Sequence, residues 1–215
     1  MQKISEQANE WANEFGREYT DRNDLSLEGM EELYRKNYGL SRTEMNERFL
    51  TGLDKSLRIL EVGSNIGNQL LCLQKMGFSN LYGIELQSYA VELSKSRTKN
   101  INIIQGNAFD IPFKDNYFDL VFTSGVLIHI SPDDLVPVMN EMYRCARRYI
   151  FGFEYYSEIP TEIEYRGHGD LLWKADFARK YLELFDDMDL VKEEKIKYTD
   201  NENVDCMFLL KKRMI

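Results

Sequence analysis

Two glycines, Gly63 and Gly67, and one acidic residue, Glu85, stand at spacings that suit a bound nucleoside. The stretch Ile59-Leu60-Glu61-Val62-Gly63-Ser64-Asn65-Ile66-Gly67-Asn68 sets both glycines directly after an apolar run. Glycine has no Cβ, so the backbone there can approach a ligand closely. Glu85 closes Gly83-Ile84-Glu85, 22 positions after Gly63, near the ~20-residue interval at which an acidic side chain meets the hydroxyls of an adenosine ribose. A tight ligand-free turn explains the glycines alone, and a surface glutamate explains Glu85 alone; the two together favour a site.

Such a site needs a parallel sheet beneath it. From residue 57 the chain alternates short apolar runs, over 57–62, 81–84, 101–104, 118–122 and 149–153, with amphipathic segments. That is the pattern of βαβ units. Leu70, Leu73 and Met76 mark one helix, Ala90 and Leu93 a second, and Leu135, Val138, Met139, Met142 and Tyr143 a third. Five β–α alternations with right-handed winding are expected. Asp176 is the expected N-cap of a helix carrying Phe177, Tyr181, Leu184 and Phe185. Residues 190–198 and 204–210 read as a hairpin around a polar turn. The predicted fold is α/β, a doubly wound sheet of seven mostly parallel strands closed by that antiparallel pair. Residues 1–56 read as a helical extension or lid, with Ser26 or Asn23 as caps, and residues 57–215 as the ligand-binding domain.

The glycine pattern separates cofactors. A nicotinamide dinucleotide fold carries G-x-G-x-x-G, whereas here positions 65 and 68 are both Asn. The segment instead resembles the acidic-x-Gly-x-Gly-x-Gly motif of class I S-adenosylmethionine-dependent methyltransferases, with Glu61 first and Asn65 in place of the middle glycine. Asn tolerates a left-handed backbone better than most residues. Gln105-Gly106-Asn107-Ala108-Phe109-Asp110-Ile111-Pro112-Phe113 and Phe118-Asp119-Leu120-Val121-Phe122-Thr123-Ser124-Gly125-Val126-Leu127-Ile128-His129-Ile130 resemble later segments of the same family. The resemblance implies a Rossmann-like methyltransferase sheet and S-adenosyl-L-methionine as cofactor. It implies that Gly63, Asn65 and Gly67 turn beneath the cofactor, with Glu61 before them. Glu85 and the adjoining Leu86 would flank the ribose, Asn107 and Ala108 the adenine, and Ser124 and Gly125 the methionine part. Glu14-Phe15-Gly16-Arg17-Glu18-Tyr19-Thr20-Asp21-Arg22-Asn23 and Gly169-Asp170-Leu171-Leu172-Trp173-Lys174-Ala175-Asp176-Phe177 further resemble the pseudaminic acid biosynthesis-associated methylases. That likeness implies a sugar or nucleotide-linked sugar acceptor in surface-glycan (nonulosonate) synthesis. It also makes Tyr19, Arg22 and Asn23 a polar cap over the cofactor. Arg22 would meet its carboxylate in a bidentate pair, or else remain a solvated charge at a helix end.

Methyl transfer from a sulfonium to a hydroxyl requires a group to take the proton; an amine need only arrive unprotonated. His129, just past the fourth strand, is the first candidate, or a histidine that packs beneath the site. Glu154, after the fifth strand, is the second. Tyr155, Arg166, His168 and Lys174 are candidate acceptor contacts, and Arg42, Arg166 and Lys174 a candidate anion clamp in the lid; each cation singly also reads as an ordinary solvated charge.

The net charge of −9 over 215 residues disfavours nucleic acid and favours a small-molecule substrate. Cys72, Cys145 and Cys206 are scattered in apolar settings, and with only two histidines no metal site is expected. The absence of a long apolar run and of an apolar stretch after Met1 predicts a cytoplasmic protein without membrane contact. A nicotinamide-dependent oxidoreductase and a non-catalytic cofactor-binding protein are the alternatives.

Overall fold

The computed structural model describes residues 6–167 and 169–213. Four helices come first: α1 (Glu6–Ala12), α2 (Glu14–Arg22), α3 (Leu27–Tyr38) and α4 (Arg42–Leu50). There follow β1 (Arg58–Val62), α5 (Asn68–Lys75), β2 (Asn80–Glu85), α6 (Ser88–Arg97), β3 (Ile101–Gln105) and β4 (Phe118–Ser124). A single 3-10 turn, Leu127–His129, precedes α7 (Leu135–Cys145) and β5 (Ala146–Tyr155). The chain ends with the short pair β6 (Thr161–Glu162) and β7 (Trp173–Lys174), then α8 (Phe177–Leu184), β8 (Met188–Lys197) and β9 (Val204–Lys212).

Seven strands form one sheet in the order β3-β2-β1-β4-β5-β9-β8. The first five are parallel; β9 is antiparallel to both β5 and β8. This is the predicted doubly wound sheet with its closing hairpin. The order reverses direction between β1 and β4, where a ligand crevice opens outside the carboxyl ends of the strands. One expectation fails: no helix lies between β3 and β4, whose connection over 106–117 is a loop with an isolated bridge from Asn107 to Asp110. Pro112 and the short spacing leave no room there for an amphipathic helix, so the alternation is incomplete at that step.

Helices cover both faces, so β1 and β4 are almost wholly buried. Leu60, Val62 and Val121 face a core with Met139, Met142 and Tyr181. Ile59 and Phe122 face another, filled by Leu70, Leu73 and Phe151 and by Met45, Phe49 and Leu50 of α4. Glu61 shares this second direction with Ile59, since side chains alternate along a strand. Caps mark the helix starts as expected: Ser26 Oγ accepts from Gly29 N–H at 3.1 Å, and Asp176 Oδ1 from Arg179 N–H at 2.9 Å. The helical spacing from Ala8 to Tyr19 is broken at Asn13, whose extended-like ψ of −146° separates α1 from α2. Gly16 makes the close return possible: a Cβ there would stand 1.9 Å from the Trp11 carbonyl oxygen. The three cysteines are free and buried, as expected. Among the described residues no helix is long and apolar enough to cross a membrane, and no group of His, Cys, Asp and Glu is arranged to hold a metal ion.

Candidate functional site

At the carboxyl ends of β1, β2, β4 and β5 lies a cavity of about 550 Å³, roofed by α1, α2 and α3 and by the loop around Tyr165 and Arg166. Its floor on one side is the turn after β1. Gly63, Asn65 and Gly67 all have positive φ, at +75°, +45° and +88°; Gly63 and Asn65 line the cavity, whereas Gly67, expected there too, faces Ile103 and Thr98 and does not. The left-handed geometry foreseen for Asn65 is therefore present. A Cβ on Gly63 would stand 2.6 Å from Val126 Cγ2, so only glycine allows the turn and the strand-four loop to close together. The turn is pinned to β2, where Gly63 and Ser64 N–H donate to Ile84 O at 2.9 and 3.0 Å.

Glu85 ends β2 on the cavity wall. Its two carboxylate oxygens accept from Asn65 N–H and Gln87 N–H, each at 2.8 Å. A carboxylate has about four acceptor positions, so the cavity side remains able to receive hydroxyl donors. Burial raises its proton affinity, and the amide hydrogen bonds oppose that. Leu86, Asn107, Ala108, Ser124 and Gly125 line the same cavity, as do Tyr19, Arg22 and Asn23 of the roof. Asn107 Oδ1 accepts from Phe109 N–H at 3.0 Å, which fixes the loop after β3. Arg22 forms a long 3.4 Å pair with Glu18.

Around this floor several buried acceptors lack a protein donor. Glu61 Oε2, Asn65 Oδ1, Asn68 Oδ1 and Gln69 Oε1 have no hydrogen-bond partner among the described residues, and all four residues line the cavity. Buried polar atoms are normally satisfied. A ligand rich in donors, with an ammonium, two ribose hydroxyls and an exocyclic amine, complements them. Burial also pushes the Glu61 carboxyl well above the usual range, with Arg42 opposing.

The far end of the cavity is walled by aromatic and acidic side chains. His129 sits on the 3-10 turn with Nδ1 2.7 Å from Leu171 O, which leaves Nε2 as the unprotonated nitrogen. Its ring packs against Trp11 at 4.4 Å and Tyr165 at 5.6 Å, and burial lowers its pKa to about 4. Trp11 in turn meets Phe15 and Tyr19, so aromatic contacts dock α1 and α2 over the site. Glu154 is buried beneath the strand-four loop, accepting from Val126 N–H at 3.0 Å, and burial brings its pKa up to about 7. Tyr155 and Arg166 also line the cavity.

Other expected contacts fall elsewhere. Lys174 stands behind Tyr155, its Nζ 5.3 Å from that ring and 2.5 Å from Asn203 Oδ1, and is not part of the wall. Arg42 is wholly buried on α4, its guanidinium over the Phe153 and Tyr34 rings at 4.5 and 5.5 Å, so it does not belong to an exposed lid clamp. Its place at the start of α4, beside Met45 in the core, explains the difference. His168 lies outside the described residues. Sequence reasoning missed Tyr34, Tyr38, Tyr198 and Asp205, which line the cavity from α3 and the C-terminal hairpin. No local motif marks them.

Residues 60–149 match the family model described as a methyltransferase domain. The demethylmenaquinone methyltransferase of Staphylococcus aureus (strain MRSA252) is 33% identical over 101 residues, which are 45% of this chain and 41% of that protein. The match thus spans about two fifths of that relative's length. Among solved structures, the 1,6-didemethyltoxoflavin-N1-methyltransferase of Burkholderia thailandensis, with bound 1,6-didemethyltoxoflavin and S-adenosylhomocysteine, covers 100% of this chain and 92% of its own at a TM-score of 0.73 and 13% identity. An S-adenosylmethionine-dependent methyltransferase from Methanosarcina mazei covers 82% and 99% at 0.62 and 18% identity. These two share the fold.

Proposed function

We propose that this chain, whose residues 60–149 match a methyltransferase-domain family model, is a class I S-adenosylmethionine-dependent enzyme that transfers a methyl group to a small-molecule acceptor. The observation that carries the reading is the set of unpartnered acceptors, Glu61, Asn65, Asn68 and Gln69, around a glycine turn whose edge is closed by Glu85. S-adenosyl-L-methionine, when bound, supplies an electrophilic methyl carbon on a sulfonium. Glu85 holds the ribose hydroxyls, Asn107 and Ala108 flank the adenine, and Ser124, Gly125 and Glu61 receive the methionine ammonium. Arg22 meets the methionine carboxylate from the roof, and Tyr19 covers it.

Alignment of nucleophile and methyl carbon is the main catalytic task in such a displacement. The helices over residues 6–50 act as the lid that enforces it, through Trp11 against His129. Neutral His129, with Nε2 free to accept a hydrogen bond, orients the acceptor. With a pKa of about 4 it is a weak proton acceptor. Glu154 holds the strand-four loop in place. The aromatic-walled cavity suits a small acceptor, and the N-terminal and 169–177 likenesses favour a sugar or nucleotide-linked sugar, with Tyr155 and Arg166 contacting it.

Titration calorimetry tests the reading: S-adenosylhomocysteine is expected to bind and NAD to fail. Binding of NAD alone would favour the oxidoreductase alternative. Binding of S-adenosylhomocysteine without turnover on any acceptor would leave a cofactor-binding protein.

A further inference from the structure

Tyr38 on α3, Tyr198 in the turn after β8 and Asp205 on β9 come from distant parts of the sequence and meet on the cavity wall. Tyr38 Oη lies 2.6 Å from Asp205 Oδ2 and 2.7 Å from Tyr198 Oη. Each phenol has one proton. The charge-assisted bond takes the Tyr38 proton to the carboxylate, which leaves Tyr38 Oη able to accept the Tyr198 proton; Tyr198 also bonds to Asp205 itself. A chain of donors can therefore run from Tyr198 through Tyr38 to Asp205, and the Tyr198 oxygen, which also bonds to the Tyr155 hydroxyl, keeps a second lone pair as an acceptor. The arrangement is held in advance: Thr199 N–H donates to Asn37 O at 2.8 Å and Thr199 Oγ1 to Lys36 O at 2.6 Å, tying this turn to the end of α3.

A buried carboxylate kept only for stability would be expected to pair with the nearest cation. Arg42 is close by, yet its guanidinium lies over Phe153 and has no hydrogen-bond partner among the described residues. Asp205 is 2% exposed, and this burial keeps its proton affinity high although phenol hydroxyls donate to it.

We propose that Tyr198, Tyr38 and Asp205 form a relay that takes the proton from a hydroxyl acceptor, so that the methyl group is delivered to oxygen. The proposal rests on the methyltransferase reading above. The acceptor O–H bond breaks as its proton passes to Tyr198 Oη. The Tyr198 proton passes to Tyr38 Oη and that of Tyr38 to Asp205 Oδ2. The acceptor oxygen bonds to the methyl carbon while the carbon–sulfur bond breaks with its electron pair on sulfur, leaving a neutral thioether and a neutral Asp205. The proton later returns to solvent. An amine acceptor would not need such a chain before attack.

The groups facing Asp205 are Tyr34 and Tyr38 of α3, Arg42 of α4, Tyr155 of β5, Lys174 of β7, and Tyr198. Burial raises its pKa to about 6, against the lowering by the two phenols, Arg42 and Lys174. The relay is therefore switched off as pH falls below about 6.

The test uses S-adenosylmethionine labelled with carbon-13 in the methyl group and a defined panel of sugars, nucleotide sugars and phenols, each beside its amino counterpart. The chemical shift of the transferred methyl identifies the atom that receives it. Methyl on oxygen is expected. Asp205→Asn and Tyr38→Phe should each lower turnover by about a hundredfold, the ordinary contribution of a positioned base, with S-adenosylhomocysteine affinity unchanged as proof of folding. The acid limb of the rate profile should vanish in Asp205→Asn, and Tyr198→Phe should lose turnover without losing cofactor affinity. If S-adenosylhomocysteine binds but no methyl appears on oxygen, or if Asp205→Asn keeps the wild-type rate and profile, the relay is overturned and the methyltransferase reading stands. If S-adenosylhomocysteine does not bind, that reading fails first.

Discussion

The two ends of the cavity are built by different means. The end beneath Gly63, Asn65 and Gly67 is made of backbone in special conformations, pinned by amide hydrogen bonds to Ile84 and Glu85 over a short stretch of chain. The end around Tyr38, Tyr198 and Asp205 is made of side chains brought from α3 and the C-terminal hairpin, across sequence separations of 160 and 167 residues. The first depends on local geometry that few residues can adopt. The second depends on the sheet being complete. A site of the first kind tolerates little change in residue type, and one of the second kind can be rebuilt while the fold stays the same.

The sharpest test of that contrast is Gly63→Val. A β-branched side chain at φ +75°, with its Cβ 2.6 Å from Val126 Cγ2, forces the turn or the strand-four loop to move. The expected outcome is loss of measurable S-adenosylhomocysteine binding together with a lowered melting temperature. Retained affinity in a folded variant would put the ligand elsewhere. Glu85→Ala comes next, because it removes the hydrogen bonds proposed to the ribose and leaves Asn65 and Gln87 N–H without their acceptor. A loss of about 1–3 kcal/mol of cofactor affinity is expected by calorimetry. An unchanged dissociation constant would show that the carboxylate serves the turn alone.

The same contrast explains what could be read from sequence. Gly63, Asn65 and Glu85 were legible because positive φ and the strand-end position restrict residue choice locally. The sheet followed from five apolar runs, and the closing pair from the polar turn between two further ones. Tyr38 and Tyr198 carry no such signature: a tyrosine at a helix end looks like any half-buried aromatic until Thr199 docks on Asn37. Asp205 lies in an apolar strand, Val204–Lys212, where its partner across the sheet, Tyr155, was the residue singled out instead. Arg42 was misread because it lies in the segment expected to form the lid, whereas α4 packs it into the second core.

His129 also lines the cavity, and pH separates its contribution from that of the carboxylates. Its folded pKa of about 4 lies below the ordinary 6.5. Between those values the unfolded chain binds more protons, so this group makes stability fall as pH drops through that window. Glu154 acts in the opposite sense: with a folded pKa of about 7 against 4.5, the folded state binds more protons and gains stability as pH falls from 7 towards 4.5. In His129→Gln only the carboxylate trend remains. The stability difference between wild type and variant, from urea unfolding, should shrink by about 1 kcal/mol on going from roughly pH 6 to pH 5. A constant difference would mean that His129 titrates normally and that the lid does not bury it.

The smallest effect is expected at Arg22, where the two modes of construction meet. Its guanidinium is on the cavity rim, 30% exposed at the side chain, and among the described residues it is held only by the 3.4 Å pair with Glu18 one helical turn away. That pair is long enough to be exchanged for the cofactor carboxylate at little cost. Because the site is partly open to solvent, the gain from the new pair is modest, about 0.5–1 kcal/mol, and screened over a Debye length of about 8 Å at physiological ionic strength. Arg22→Ala is therefore expected to weaken S-adenosylhomocysteine binding only a few-fold, and the difference from wild type should diminish as salt is raised. Arg22→Lys should recover part of the affinity but not the bidentate geometry. If Arg22→Ala binds as wild type does at every salt concentration, the carboxylate is held by the backbone of the glycine turn, and the roof contributes cover without charge.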